Sequence, residues 1–335
     1  TEGVVAKIFV GTMDGVFVLE NGGVRQVLEA SEVRDLVVVG GRIFASTGRG
    51  VYLSNDQGDN WVLSGITDRQ VWQVSAFSGD ILFAVTQPTG LFRSDDGGEN
   101  WQEIESLANL SQASKWCLPL TPPVPARART IVIDVDDPQK MWVGVEVGGI
   151  VKTEDGGGTW GIVLPGGNPD LHVLCVQPNE PDVLYASTGY GRLDGVAEMV
   201  EGNAGVFRSD DGGATWRYAW GGITPRYSRP MCVDARAPYE LTVACAPNAF
   251  SSFKDEGGAG AMLLRSCDRG DSWASLGDAA HSPSAANIHG LAVDSEHPGG
   301  VIVGMDTGEA WRVSENSQWE MLTDDLPAVY SILSF

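Results

Sequence analysis

Basic side chains are scarce in this sequence, and their scarcity limits the partners that the protein can have. Its 335 residues include 22 Lys and Arg against 44 Asp and Glu, a formal net charge of -22 at pH 7. A charge of this sign and size repels polyanions at long range, because the Coulomb energy of their approach is unfavourable. We therefore expect no nucleic-acid partner and no membrane partner.

Long apolar runs and paired cysteines are also missing. No stretch approaches the roughly 20 apolar residues of a transmembrane helix, and the first residues, "TEGVVAKIFVGTMDG", lack the basic region and apolar core of a signal peptide. The five cysteines are odd in number and form no C-x-x-C pair, which favours reduced core thiols over disulfides or a zinc site. We expect a cytoplasmic monomer, or a secreted one if a signal peptide has been removed.

One short motif occurs five times. The stretch "SDDGGENW" at residues 94–101 returns as "SNDQGDNW" at 54, "TEDGGGTW" at 153, "SDDGGATW" at 209 and "SCDRGDSW" at 266. The shared pattern is Ser/Thr-x-Asp-x-Gly-x-x-Trp, and repetition of this kind predicts an array of similar supersecondary units.

Each motif belongs to a unit of four short strands. Around the copy at 94 these are "QVSAF", "ILFAVT", "GLFRS" and "WQEI", and four short antiparallel strands per unit are typical of a propeller blade. Residues 284–327 give a further unit with the decayed motif "SENSQW", and the N-terminal unit lacks an innermost strand, which "AVYSILSF" at the C-terminus supplies. We predict an all-β fold, a single seven-bladed β-propeller domain over residues 1–335. The C-terminal strand closes the first blade, so that no sheet edge stays open.

The repeated motif has a structural and a functional interpretation. At the turn between the third and fourth strands, Asp96 can accept backbone N–H groups, and Gly98 can adopt a backbone angle that a Cβ would forbid. Ser94 can cap the turn and Trp101 can pack into the blade. Calcium binding is the alternative, but no bidentate Glu follows at the spacing of known calcium loops. We interpret the motif as a structural staple.

These motifs resemble the Asp-box, or BNR, repeats of sialidases, sortilin-type receptors, xyloglucan hydrolases and the photosystem II assembly factor family. The resemblance extends over essentially the whole chain. It implies a β-propeller whose boxes lie on the face away from the functional site. It does not select a function, because those families include hydrolases, receptors and scaffolds.

The innermost strands of the predicted blades begin with residues of related character. In a propeller these strands line a central channel and their starting ends open onto one face. No carboxylate occupies the aligned positions, although acids outnumber bases two to one in the chain. The positions predict a positively charged ring for a carboxylate, phosphate or sulfate; pairing of its cations with acids such as Asp35 and Asp170 is the alternative. The ring consists of Arg34, Trp72, Arg129, His172, Arg229, His289 and Tyr330.

Three insertions are expected on the same face as this ring. Residues 111–127 join a fourth strand to the next first strand, and residues 190–204 and 247–260 join second strands to third strands. Long loops of this kind often carry function. Trp116 is a candidate ligand-binding residue there and Phe250 a second aromatic surface, with ordinary packing as the alternative for both.

The first functional hypothesis is a glycoside hydrolase-like propeller that binds, and in its enzymatic version processes, an anionic small molecule or glycan. The resemblance to sialidases, which hold a carboxylate with three arginines, implies ligand binding by Arg34, Arg129 and Arg229, and we add Trp72 and Trp116 to this set. The sialidase Arg-Ile-Pro signature is absent, and no Glu is evidently paired with Tyr330. Candidate catalytic residues are Tyr330, His172 and His289, and candidate acids are Glu32, Asp35, Asp170 and Glu198.

Two alternatives stay open at this point. One is a non-catalytic binding or assembly propeller whose ring and loops dock an acidic segment of a protein partner. The other is a lyase or metal-dependent hydrolase, in which His172 and His289 act as base or as metal ligands. Two histidines alone are weak evidence for a metal, so we expect no cofactor.

Overall fold

Seven four-stranded antiparallel sheets are arranged in a ring in the computed structural model, which describes residues 7–110, 113–197 and 203–335. The innermost strands of successive sheets pack against one another around the centre. In chain order the first three blades contain β1 (Ile8–Thr12), β2 (Gly15–Glu20), β3 (Gly23–Glu29), β4 (Asp35–Val39), β5 (Arg42–Thr47), β6 (Gly50–Ser54), β7 (Val62–Gly65), β8 (Gln70–Ala76), β9 (Leu82–Gln87), β10 (Gly90–Ser94) and β11 (Gln102–Glu103).

A short connecting segment separates the third blade from the fourth. It contains the helix α1 (Glu105–Ala108), a 3₁₀ turn (Ala113–Lys115) and the hairpin of β12 (Cys117–Leu118) and β13 (Val124–Pro125). The fourth and fifth blades contain β14 (Arg127–Ile133), β15 (Met141–Glu146), β16 (Gly149–Thr153), β17 (Gly161–Val163), β18 (Leu171–Gln177), β19 (Glu180–Thr188), β20 (Gly205–Ser209) and β21 (Arg217–Tyr218), with a 3₁₀ turn (Pro165–Gly167) between the two blades. The last blades contain β22 (Tyr227–Val233), β23 (Leu241–Ala246), β24 (Met262–Ser266), β25 (Ala274–Ser275), β26 (Ile288–Val293), β27 (Val301–Met305), β28 (Ala310–Val313) and β29 (Trp319–Thr323), and the chain ends with β30 (Val329–Ser334).

The C-terminal strand closes the first blade, as the sequence predicts. Strand β30 pairs with β1 in antiparallel register, with Ile8 opposite Ser334 and Val10 opposite Ile332, and the sheet order is β3-β2-β1-β30. The sequence predicts pairing of this strand with residues 5–11, of which residues 5 and 6 lie outside the described residues. The closing strand satisfies the backbone groups of β1 that an open ring would leave at a sheet edge.

The hydrophobic core lies between neighbouring blades rather than within one of them. Every residue of β1, β15, β23 and β27, the second strands of their blades, is buried. One cluster joins Phe44 and Val51 of the second blade to Val71 and Leu82 of the third. Side chains of a twisted sheet alternate between its two faces, so each apolar blade face packs against the next blade.

The repeated boxes form one turn with one hydrogen-bond pattern. In the third blade the Ser94 hydroxyl donates to Asp96 Oδ1 (2.8 Å) and accepts the N–H of Gly98 (2.8 Å). Asp96 also accepts the backbone N–H and side-chain amide of Asn100, at 2.9 and 2.7 Å. Hydrogen bonds from the residue four positions later help to lower the pKa of the box aspartate to about 2 in all five copies. Gly98 adopts a φ of 90°, which explains why glycine occupies this position.

Box tryptophans connect neighbouring blades. The indole of Trp101 donates to the Ser64 hydroxyl of the preceding blade (3.0 Å), and Trp273 donates to the carbonyl of Ala219 in the blade before it (2.8 Å). A Cβ added to Gly65 would lie 2.7 Å from the Trp101 ring. The box therefore stabilises both its own turn and the contact between two blades.

The five cysteines carry free thiols, as the sequence predicts. Burial raises the pKa of Cys175 to about 12 and also raises that of Cys245. No helix among the described residues has the length and apolar composition needed to span a bilayer. The prediction of one domain over residues 1–335 and that of a monomer stay predictions.

Candidate functional site

Six of the seven predicted ring residues lie at β-bulges of the innermost strands. At Trp72 the pairing passes from Val71–Thr86 to Gln73–Val85, so that Trp72 has no partner in β9. A bulge places one extra residue outside the ladder and turns its side chain, here toward the axis of the ring. Arg34 precedes β4 directly, and its backbone N–H donates to the Ser46 carbonyl (2.8 Å). The other bulges are at Arg129, His172, Arg229, His289 and Tyr330.

A single central cavity brings all seven ring residues together. Its volume is about 590 Å³, and the three predicted insertions form part of its wall. The predicted convergence of ring and insertions is therefore observed. The cavity wall includes one residue from each insertion at Leu118, Tyr190 and Phe250. The candidate acid Glu198 lies outside the described residues.

Arg34 is held between two aromatic rings at the cavity wall. Its guanidinium carbon lies 4.7 Å from the ring centre of Trp72 and 4.4 Å from that of Tyr330. It also forms an ion pair with Glu32, whose other oxygen accepts the amide of Gln70 (2.7 Å). Burial lowers the pKa of Arg34, against the opposing effect of Glu32. Arg34 is thus a partly compensated cation, and the Tyr330 ring is covered on one side.

Arg129 belongs to a buried charge cluster that includes a residue the sequence analysis missed. Glu146 ends β15 and accepts two hydrogen bonds from Arg127, at 2.5 and 2.9 Å, and one from Arg129 at 3.0 Å. Burial opposes ionisation of Glu146, but the two guanidiniums outweigh it and hold its pKa well below the ordinary value. Burial, together with Arg127 and Arg229, lowers the pKa of Arg129 to about 10. Arg127 begins β14 two positions before the bulge residue Arg129, and both line the cavity.

The Trp72 ring packs against arginine side chains rather than presenting an open aromatic surface. The guanidinium carbons of Arg34, Arg127 and Arg129 lie 4.7, 4.2 and 5.1 Å from its ring centre. Cation–π contact of this kind stabilises each cation beside the ring. The indole also donates to the side-chain oxygen of Gln70 (3.1 Å). Its predicted role in ligand binding stays a prediction.

Arg229 lacks a carboxylate partner within the described part of the chain. One of its terminal nitrogens donates to the Ala249 carbonyl (2.9 Å) and the other to His289 Nδ1 (3.2 Å). Its Nε atom is buried without a hydrogen-bond partner among the described residues. The Tyr227 ring lies beneath the guanidinium at 5.1 Å. Arg229 is therefore the ring cation that is best placed to meet an external anion.

His289 is neutral at physiological pH. Burial, followed by the positive charges of Arg229, Arg129 and Arg34, lowers its pKa to about 3. Because its Nδ1 accepts from Arg229, its proton resides on Nε2. A neutral imidazole in this tautomer offers a hydrogen-bond donor without adding charge to the site.

His172 and Asp170 form a second pair in the wall of the same cavity. His172 Nδ1 donates to the Ser228 carbonyl (2.6 Å), and its Nε2 lies 3.5 Å from Asp170 Oδ1. The other Asp170 oxygen accepts the backbone N–H of Gly191 (2.7 Å). Asp35 is a further carboxyl group of the wall, and burial raises its pKa to about 7. The cavity thus contains groups that can donate and accept protons near neutral pH.

Trp116 packs in the core, which is the alternative that the sequence analysis left open for it, and its role in ligand binding stays a prediction. Its side chain is 5% exposed and belongs to the core cluster of the third and fourth blades. The ring packs closely over Gly148, where an added Cβ would lie 3.0 Å away, and it does not line the cavity. Phe250, which lines the cavity and is 73% exposed, is the aromatic residue that the insertions present.

Comparisons with known proteins agree with the repeat pattern. Residues 92–103 match the BNR/Asp-box repeat. The protein is a β-propeller that contains Asp-box repeats. The comparison with curated protein sequences gives no match.

Solved structures that resemble this Asp-box propeller include enzymes and a peptide-binding protein. The GH74 xyloglucanase from Xanthomonas campestris is 14% identical with a TM-score of 0.62, and the alignment covers 96% of this chain and 47% of that one. The GH74 enzyme from Niastella koreensis is 14% identical with a TM-score of 0.64 and coverages of 93% and 46%. YCF48 bound to D1 peptide is 17% identical with a TM-score of 0.56 and coverages of 86% and 81%. The chain spans about half the length of the GH74 structures. At these identities the likeness shows the fold alone.

Proposed function

We propose that this Asp-box propeller binds an anionic small molecule or glycan through a carboxylate held by Arg229 in the central cavity. The observation that supports the proposal is a partly buried Arg229 guanidinium whose Nε is buried without a hydrogen-bond partner, and which has no carboxylate partner among the described residues. Burial of an unpaired charge is costly, and a ligand carboxylate would relieve that cost with two charge-assisted hydrogen bonds. His289 contributes a neutral donor beside it.

The size and lining of the cavity support a ligand of small-molecule size. A volume of about 590 Å³ lies within the range of roughly 300–1,000 Å³ typical of such sites. Phe250 offers an exposed aromatic face at the mouth, and Leu118 and Leu120 add apolar wall. The GH74 relatives include a xyloglucanase, which fits the glycan version of the proposal.

Processing of the ligand is the enzymatic version of the same proposal. Asp35, with a pKa raised to about 7, is half protonated at neutral pH and is suited to act as a general acid. His172 and Asp170 supply proton acceptors in the same cavity. These three residues fit the acid and base roles of a hydrolase and of a lyase equally well. Tyr330 is stacked on Arg34, which would favour its phenolate form electrostatically, although burial dominates and raises its pKa.

A protein partner is the second candidate, and the rim of the cavity favours it. Large apolar side chains are exposed on the insertions, at Leu120, Leu193, Val196, Phe250 and Phe253. An apolar rim around a cationic centre fits an acidic segment of a partner chain with apolar flanks. One similar structure is YCF48 bound to D1 peptide.

Calorimetric titration of Arg229→Met tests the proposed contact. We expect the wild type to bind simple carboxylates and uronic acids, and the variant to lose roughly 10- to 150-fold in affinity, since a charged hydrogen bond contributes about 1.5–3 kcal/mol. The matched control is Arg217→Met, which removes an exposed guanidinium paired with Asp271 at 2.7 Å. Sulfate and phosphate compounds serve as competing anions. Equal affinities of wild type and Arg229→Met for every anion would contradict the proposal.

A further inference from the structure

Two buried polar atoms of the cavity wall face each other without a hydrogen-bond partner. His172 Nε2 and Asp170 Oδ1 lie 3.5 Å apart, and their side chains are 0% and 7% exposed. Neither atom has a partner among the residues that the structure describes. Because His172 Nδ1 donates to the Ser228 carbonyl, Nε2 of the neutral ring presents a lone pair to the lone pairs of the carboxylate. Two buried acceptors in this arrangement repel each other unless a proton on Nε2 or a metal ion lies between them.

We propose that His172 and Asp170, together with Glu146, bind a divalent transition-metal ion. The ligand atoms of the three residues all lie within 4.8 Å of one another, and all three side chains are buried. A tetrahedral zinc site has metal–nitrogen and metal–oxygen distances of about 2.0–2.2 Å, which place neighbouring ligand atoms about 3.3–3.5 Å apart. The observed 3.5 Å between His172 Nε2 and Asp170 Oδ1 matches that edge of the tetrahedron.

The surroundings of His172 and Asp170 are those that metal sites require. A metal-binding histidine donates its other ring N–H to a carbonyl or carboxylate, and ligand carboxylates accept hydrogen bonds on the oxygen that does not bind. His172 donates to Ser228 and Asp170 Oδ2 accepts from Gly191. Both oxygens of Glu146 accept from Arg127 or Arg129, so a metal would share one of them with a guanidinium. Both His172 and Asp170 are therefore fixed before a metal arrives, and the entropy cost of binding is correspondingly small.

The ligand set selects the kind of metal. One imidazole and two carboxylates suit zinc, manganese or iron better than calcium or magnesium, which prefer oxygen ligands only. Asp170 and Glu146 carry two negative charges, which Arg127 and Arg129 balance, so a divalent ion adds net positive charge to the cavity. A fourth ligand from the cavity, such as water or an anion, would offset that charge. We therefore expect the metal to strengthen anion binding and, by linkage, a bound anion to strengthen metal binding by the same factor.

This site differs from the His172 and His289 pair that the sequence suggests as metal ligands. His289 has its Nδ1 engaged by Arg229 and a pKa lowered by burial and by three arginines, so cations already surround it. His172 has its free nitrogen directed at a carboxylate. The proposed site therefore uses His172 with two acids and not with His289.

Titration with cobalt(II) and zinc(II) tests the proposal in the full chain after dialysis against a chelator. We expect one ion per chain with a dissociation constant in the micromolar range or below, and a cobalt absorption spectrum of a four- or five-coordinate nitrogen and oxygen site. Weak binding alone, above about 100 μM (~5.5 kcal/mol), would overturn the proposal. So would a spectrum without visible absorption stronger than that of hexaaqua cobalt.

Two substitutions locate the ion. His172→Asn keeps an amide that can bond to Ser228 but lacks Nε2, and we expect it to lose at least 10-fold in affinity. His297→Ala is the matched control, because His297, Asp294 and Glu296 form the other described group with metal-ligand spacing. Binding that persists in His172→Asn and disappears in His297→Ala would assign the ion to that exposed group and overturn the proposal. Anion titration of the chelator-treated protein remains a separate measurement, so failure of the metal site is distinguishable from failure of the Arg229 contact.

Discussion

Arg129 and Arg229 occupy equivalent positions in two blades, but the residues around them give them different electrostatic roles. Arg129 shares the buried Glu146 with Arg127, whereas Arg229 contacts a carbonyl and a neutral imidazole. Removal of one partner from a buried ion pair leaves an uncompensated charge. The electrostatic role of an arginine in this ring therefore depends on the residue opposite it and not on its position in the repeat.

The first residue-scale prediction concerns Arg129. In Arg129→Met, Glu146 retains only Arg127, so we expect the free energy of unfolding to fall by about 1–3 kcal/mol. Anion affinity should change by less than about threefold, because Arg229 supplies the main contact. Urea denaturation and calorimetry of the same preparation measure the two effects. A variant that keeps its stability but loses anion binding would show that Arg129, and not Arg229, holds the ligand.

The second residue-scale prediction concerns Asp35. Burial raises its pKa to about 7 from the ordinary 3.8, so the folded state binds a proton that the unfolded state has released between these two pH values. The resulting loss of stability begins as pH rises through about 4, grows until about 7 and is constant above that. Asp35→Asn removes the ionisation, so it should be more stable than the wild type by an amount that increases over this range.

Urea denaturation of wild type and Asp35→Asn at several pH values between 4 and 8 measures that difference. Asp68→Asn is the control, since the Asp68 side chain is 78% exposed and its substitution should give a difference that is small at every pH. A constant difference for Asp35→Asn would show that Asp35 ionises with an ordinary pKa.

At the scale of strands, the sequence predicts the blades well and the bulges not at all. The alternation of apolar residues and the recurring box predict strands such as β9 and β10 and the turn after them. The bulge at Trp72 carries no glycine or proline that would mark it, and it arises from pairing with β9. The alignment nevertheless finds the ring residues, because six of the seven innermost strands have their bulge at the same place and Arg34 directly precedes the seventh.

Two contacts show why the rest of the site could not be predicted. Glu146 ends a second strand and Arg127 begins a first strand, and their bidentate contact depends on the exact register of β14 and β15. Trp116 lies in an insertion beside the cavity, but its ring packs into the core because Gly148 leaves room for it. Loop conformation and cross-strand register are properties of the folded chain, and neither leaves a local pattern in the sequence.

The box tryptophans give the prediction at the element scale. Trp101→Ala removes a ring that packs between two blades and its hydrogen bond to Ser64, so we expect a loss of about 3 kcal/mol in the free energy of unfolding. Anion binding by the folded protein should be unchanged, because the box turn lies at the opposite end of its strands from the ring. Leu63→Ala, at a site 49% exposed, is the control in urea denaturation. Weakened anion binding with unchanged stability would make the box part of the binding site.

At the scale of the whole molecule, the net charge of -22 contrasts with the cationic centre. Arg34, Arg127, Arg129 and Arg229 line the cavity, while the boxes place a carboxylate at the turn of five blades. The long-range field repels anions and the short-range field of the cavity attracts them. This arrangement favours ligands that enter the cavity fully and disfavours polyanions, which would also meet the acidic exterior.

Ring closure is the property that every blade shares, and it gives the last prediction. Val329 and Ile332 of β30 belong to a buried cluster with Ile8 and Val10 of β1, and the Ser331 hydroxyl donates to the Val33 carbonyl of the second blade (3.0 Å).

Deletion of residues 328–335 would remove these contacts and Tyr330, and it would expose both the edge of β1 and an apolar face. We expect the truncated protein to melt several degrees lower and to aggregate on heating. Each kcal/mol lost shifts the midpoint by roughly 2–4 °C in chains of about 150–250 residues, and by less in a longer chain. Deletion of Phe335 alone, which is 40% exposed and stacks on Phe9, is the control and should have a small effect. Calorimetry that gives the full truncation the same midpoint as the parent would show that the seven blades hold together without the strand that closes them.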